Sequence, residues 1–203
     1  MKKLLLSAAA VFAFAYANAQ EETTSTGGFS TGDVFISGSV GFGSEKTGDF
    51  KATEFNFSPR AGYFVSDNIA LGLALGYNNT KQDEEFGLGN IEEVKTNTFE
   101  IGAFGRYYFM PANQFSLFTQ LGVNYGTTKS EIDNEEFNKA NGFNVEFAPG
   151  ISYFISEHFA LEATFGVLSY TTVEPDEDDA DSTNTFQLGL NMSDINFGLI
   201  YKF

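Results

Sequence analysis

Cysteine and tryptophan are absent from the 203-residue sequence, histidine occurs once and proline four times. Without a thiol there is no disulfide framework and no thiolate metal site. A single histidine, His158, leaves little for nucleophilic or general-base chemistry, which needs a second polar group held beside the ring. Basic residues are also scarce, 11 Lys and Arg against 27 Asp and Glu. That balance excludes a nucleic-acid partner, whose phosphates require a basic surface. Beyond residue 19 no run of 18 apolar residues exists, so no transmembrane helix is encoded there.

Phenylalanine (24) and glycine (21) are plentiful instead, and aromatic richness with few helix formers points to strands. The chain opens "MKKLLLSAAAVFAFAYANAQ": two lysines, an apolar stretch, then the small-x-small pattern Ala17-Asn18-Ala19. Residues 1–19 therefore read as a signal peptide cleaved after Ala19, and the protein as exported. Its removal takes the formal charge from −16 to −18, since Lys2 and Lys3 go with it. Residues 20–32, "QEETTSTGGFSTG", read as a flexible polar leader. Residues 33–203 are then a single domain.

Across that domain apolar residues recur at every second position in eight segments, at about residues 34–42, 55–65, 69–77, 99–109, 115–125, 143–155, 159–167 and 195–203. The interleaved positions are mostly Gly, Ala, Ser and Asn, with an occasional charge. Such alternation marks strands with one greasy face. Two stretches nearly superimpose, "YFVSDNIALGLALGY" from Tyr63 and "YFISEHFALEATFGV" from Tyr153. A looser copy, "YYFMPANQFSLFTQLGVNYG", starts at Tyr107. Short links after the second, fourth and sixth segments alternate with longer ones after the first, third, fifth and seventh. All short turns then lie at one end of an up-and-down meander whose last strand can pair with its first, removing the sheet edges. The eighth segment is less clean. Phe186, Leu188 and Leu190 have the opposite parity to Ile195–Phe203, so either a β-bulge near 191–194 switches faces or 185–190 folds separately above the rim.

Eight such strands suit two solvents. A lipocalin-like carrier turns its apolar face inward, whereas an outer-membrane barrel turns it toward lipid. Three features favour lipid. The other face is small and nearly uncharged, as the crowded interior of an eight-stranded barrel requires. Aromatic residues gather at both ends of the apolar rows, as membrane interfaces select. Each row also has the roughly 9–11 residues that a tilted strand needs to cross a bilayer. The expected fold is all-β, an eight-stranded antiparallel up-and-down transmembrane β-barrel.

The signal peptide, the alternating runs, the "YFVSDNIALG" and "YFISEHFALE" turns and the ending "INFGLIYKF" together resemble the small outer-membrane β-barrels of the OmpA/OmpX-like group, the outer membrane β-barrel domain or porin-family proteins of Gram-negative bacteria. The resemblance spans about residues 33–203. It implies an outer-membrane location, short turns in the periplasm and long loops outside the cell. It also implies that Tyr201 and Phe203 are read by the barrel-assembly machinery, with periplasmic chaperones as further biogenesis partners. It says little of activity, because the fold hosts many roles.

The expected register puts Glu54, Arg60, Glu100, Arg106, Glu146, Glu162, Asp194 and Lys202 inside the barrel. Charges there persist when paired or hydrated. Arg60, Glu100, Arg106, Glu146, Glu162 and Lys202 are therefore expected to form a structural network that plugs the lumen, with Glu162 paired to Arg106 or Lys202. The loops are acidic, reaching −6 over residues 171–184. "EPDEDDADSTN" lacks the glycine and closing glutamate of an EF-hand and reads as a solvated acidic loop. No catalytic, cofactor or metal site is expected. The functional expectation is a structural or surface-interaction role, in envelope integrity, adhesion or recognition of an unidentified ligand, with lipid and lipopolysaccharide as neighbours. Alternatives are a narrow channel for ions or small solutes, a soluble carrier, and a lipid A-modifying enzyme.

Overall fold

The computed structural model describes residues 27–48, 50–86, 90–133, 135–166, 168–177, 180–189 and 195–203. The signal peptide, residues 20–26 of the leader and Asp194 lie outside them. Among the described residues there are ten strands and no helix: β1 (Val34–Thr47), β2 (Phe50–Phe64), β3 (Ile69–Phe86), β4 (Asn90–Tyr108), β5 (Phe115–Ile132), β6 (Glu135–Phe154), β7 (Phe159–Phe165), β8 (Leu168–Pro175), β9 (Thr183–Leu188) and β10 (Ile195–Lys202). Neighbours in sequence pair antiparallel from β1 to β7, β10 pairs with both β7 and β1, and the ring is closed. β8 continues the line of β7 along β6, and β9 lies on β8 ahead of β10. Ten segments thus make the eight staves of an up-and-down barrel, as the alternation predicts.

The sequence repeat produces the same turn twice. Val65 and Ser66 both donate their N–H to Ile69 O, and Ile155 and Ser156 donate to Phe159 O. In each, the serine hydroxyl accepts the N–H three residues on, from Ile69 at 3.2 Å and from Phe159 at 3.1 Å. A serine that bonds local backbone favours turns for this reason. At the other end β1 and β2 reverse through Gly48, whose φ of 64° a two-residue hairpin requires.

Apolar rows point outward: Leu73 is 66% and Phe197 73% exposed. The longer links differ from expectation. Residues 80–86 pair with 90–96, and 128–132 with 135–140, as continued ladders rather than open loops, Thr80 meeting Thr96 and Lys129 meeting Lys139. Cross-strand pairing satisfies backbone groups that an open loop would leave to water. β3 is therefore 18 residues long, roughly 60 Å of strand at ~3.3 Å per residue. Tilted by ~40° it stands about 45 Å tall, well beyond the ~30 Å of a hydrocarbon core.

The seventh and eighth staves also depart from a single run. β7 stops at Phe165 and β8 restarts at Leu168 with the parity reversed, pairing Leu168 with Phe147. β9 pairs Phe186 with Tyr170 and Leu188 with Leu168, so residues 183–188 belong to the wall rather than to a separate structure above the rim. Residues 190–194, where the bulge was expected, lie outside those described.

The leader is corrected over residues 27–32. They fold under the barrel, Gly32 donating its N–H to Phe64 O at 2.9 Å and Phe29 donating to Pro111 O at 2.7 Å. Phe29 is only 1% exposed. Its ring supplies the apolar surface that the surrounding polar residues lack, and burying it offsets the ordering of the segment.

Candidate functional site

The lumen brings together Arg60, Arg106, Glu146 and Glu162, four of the six charges expected to form its network. Arg106 on β4 reaches across the bore to Glu162 on β7, Nη1 donating to Oε2 at 2.7 Å, with side-chain exposures of 0% and 2%. Arg106 Nε donates to Gln120 Oε1 at 2.7 Å, and Nη1 also donates to the Tyr108 hydroxyl at 3.2 Å. Gln120 sits opposite Arg106 in the β4–β5 ladder and passes its amide to Glu146 on β6, 3.4 Å away. Arg60 on β2 lies 3.5 Å from the second Glu162 oxygen. The network therefore crosses the barrel interior from β2 and β4 to β6 and β7.

Rings hold the guanidinium from the remaining directions. Arg106 Cζ stands 4.5 Å from the Phe118 centroid, 5.1 Å from Phe104 and 5.9 Å from Phe35, distances at which a cation is attracted to an aromatic face. Below it Phe35, Phe64, Phe104, Tyr108, Phe118 and Phe154 form a buried aromatic floor joined by Phe29. This floor replaces the small polar interior expected at that end. Its signal was available in "GYFV", "RYYF" and "SYFI", where large apolar residues run on without alternating. Such a run marks a strand end that is apolar on both faces, one turned outward and the other packed into the bore.

Glycines make room for these groups across the ladder. A Cβ on Gly62 would lie 2.3 Å from the Phe35 ring, on Gly150 2.3 Å from Phe118, and on Gly198 2.9 Å from Glu162. Each is the direct cross-strand partner of the group it accommodates. In so narrow a bore, one large side chain needs an empty position beside it.

Glu100 and Lys202 stand apart from the network. Glu100 lines two clefts of about 180 and 260 Å³ in the wider half of the lumen, with Asn56, Asn78, Asn124 and Asn144 among the lining. It has no ion-pair partner among the described residues. Glu54 accepts a bond from Asn78 at 3.0 Å in the same region. Lys202 is not paired with Glu162. It donates to Gly28 O at 2.6 Å and lies 3.7 Å from Asp33, because the folded leader offers oxygens at the mouth. Tyr201 and Phe203 are outside the lumen, their rings edge-on at 4.9 Å. His158 lies in the β6–β7 turn, its Nδ1 3.0 Å from Lys202 O, where it holds the end of β10.

Comparison with known proteins agrees with this architecture. Residues 5–193 match the family model described as outer membrane protein beta-barrel domain. The chain belongs to that family. Among solved structures it is similar to the crystal structure of the outer membrane protein OprG from Pseudomonas aeruginosa, with a TM-score of 0.51 and 18% identity over 87% of this chain and 98% of that one. At that identity the likeness is one of fold. No curated protein matches. The outer-membrane β-barrel reading of the alternation is thus shown, with its apolar rows facing lipid.

Proposed function

We propose that this family member is a non-conducting, non-enzymatic barrel of the Gram-negative outer membrane that acts through its exterior. Its role is structural or one of surface interaction: envelope integrity, adhesion or recognition. One observation carries the reading. At the level of Arg106 and Glu162 the bore is filled by side chains on opposing strands, packed on a continuous aromatic floor. What remains to meet a partner is the tall acidic hairpins, the apolar belt in contact with lipid, and the lipopolysaccharide around them. Residues 1–19 are then the export signal and Tyr201 with Phe203 the signal for chaperones and assembly machinery.

The test is current through a planar bilayer containing purified protein. No discrete openings are expected. Reproducible unitary conductance would refute the proposal and favour the narrow channel, for which the asparagine-lined clefts would be the entrance. Purified protein is likewise expected to leave lipid A unmodified.

A further inference from the structure

Phe29 occupies a place that no strand of the barrel fills. Its ring meets Phe35 of β1 at 5.6 Å, Phe64 of β2 at 4.6 Å, Tyr108 of β4 at 5.2 Å and Phe154 of β6 at 4.8 Å. A side chain in contact with strands on several sides of a ring stands near its axis. The wall brings its aromatic residues to the mouth, and the centre is closed by a residue that precedes the wall in sequence.

The backbone around Phe29 spans the mouth from turn to turn. Thr31 Oγ1 donates to Asp67 in the β2–β3 turn. Phe29 N–H reaches Pro111 in the β4–β5 turn. A Cβ on Gly28 would lie 2.5 Å from Ala112 O, and one on Gly27 2.7 Å from Ser156 O in the β6–β7 turn. Lys202 of the last strand closes the set by donating to Gly28 O. Every short turn and the C-terminal strand therefore touch this one segment.

We propose that residues 27–33 form a strap that seals the short-turn mouth, and that this strap, rather than the wall alone, keeps solvent from the charged layer above. A segment with a single apolar anchor and a polar backbone can withdraw without breaking a strand ladder, which makes it the low-stability element of the fold. The inference extends the occluded-lumen reading to the mouth, and its test is separable from that reading.

Because the chain has no cysteine, Ser152→Cys introduces one reporter thiol. Ser152 is fully buried, faces Glu162 in the β6–β7 ladder and stands two residues above Phe154. The full mature protein is refolded in detergent, its folded state verified by heat-modifiable gel mobility, and modified with a charged methanethiosulfonate reagent. In S152C modification is expected to be slow. In S152C/F29A it is expected to be ~10-fold faster or more, as the free energy of opening the mouth falls. S152C/G28A, in which the new methyl displaces the strap from Ala112, is expected to accelerate it as well.

Equal rates in S152C and S152C/F29A, whether both slow or both fast, would overturn the proposal. Failure of S152C/F29A to refold would also overturn it, because Phe29 would then belong to the core rather than to a removable strap. Bilayer current through the unsubstituted protein separates the two readings. A conducting protein with strap-dependent modification refutes the non-conducting function and leaves the strap standing.

Discussion

Replacing Glu162 with alanine leaves two guanidinium groups without their shared carboxylate, one of them with no access to water. Arg106 has a fully buried side chain, and its bond to Glu162 is 2.7 Å long. Breaking a buried pair by removing one partner costs ~3–5 kcal/mol, since the surviving charge stays desolvated. Gln120, Tyr108 and three ring faces still hold Arg106, which places Glu162→Ala near ~3 kcal/mol. Arg60 is different: its side chain is 20% exposed and 3.5 Å from the carboxylate, so Arg60→Ala should cost only ~1 kcal/mol. Removing both charges in R106M/E162L should restore stability to within about 1 kcal/mol of the unsubstituted protein, because no unpaired ion remains. The assay is a urea titration in phospholipid vesicles followed by gel mobility and circular dichroism, tryptophan being absent. A cost below ~1 kcal/mol for E162A, or a double variant less stable than E162A, would refute the argument that a desolvated pair dominates the lumen.

Gly72→Ala would place a Cβ 2.3 Å from Ala61 O and 2.4 Å from the Phe104 ring, so a loss of ~1–3 kcal/mol is expected from overpacking. In the same titration Gly105→Ala, whose Cβ meets nothing nearer than Leu71 Cδ2 at 3.4 Å, should be near neutral. Outside the membrane, Lys139 donates to Asp176 at 2.5 Å. This bond and the charge behind it hold the Asp176 carboxyl below its usual range and the Lys139 ammonium above its own. The carboxylate's contribution is present above the unfolded aspartate value and lost as pH falls through the folded one. The ammonium's contribution is present below the unfolded lysine value and lost as pH rises through the folded one. Proteolysis of the β8–β9 hairpin should therefore accelerate when the pH falls below the usual aspartate range, and Asp176→Asn should abolish that pH dependence. An unchanged dependence in D176N would assign it elsewhere.

Much of the barrel was readable along the chain, and particular residues show where reading stopped. The turns at Ser66 and Ser156 were legible because their hydrogen bonds close within four residues. The pairing of Arg106 with Glu162 followed from two inward charges at similar depth, but Gln120 as their link to Glu146 did not. A neutral amide carries no charge pattern to notice. Sequence left Glu162 open to Arg106 or Lys202; the choice falls on Arg106 because the folded leader gives Lys202 partners of its own, Gly28 and Asp33, about 170 positions away in sequence.

Period-two hydropathy is a property of neighbouring residues. It dictates strands, their number and the face each turns to hydrocarbon, whatever the rest of the chain does. The identity of the residues that meet in the bore is set by ring closure and strand stagger, which are properties of all eight staves at once. Phe29 lies in a polar stretch with no alternation, so nothing local marks it. It becomes the centre of the floor only because closing the barrel leaves an axial gap of one ring between Phe35, Phe64, Tyr108 and Phe154.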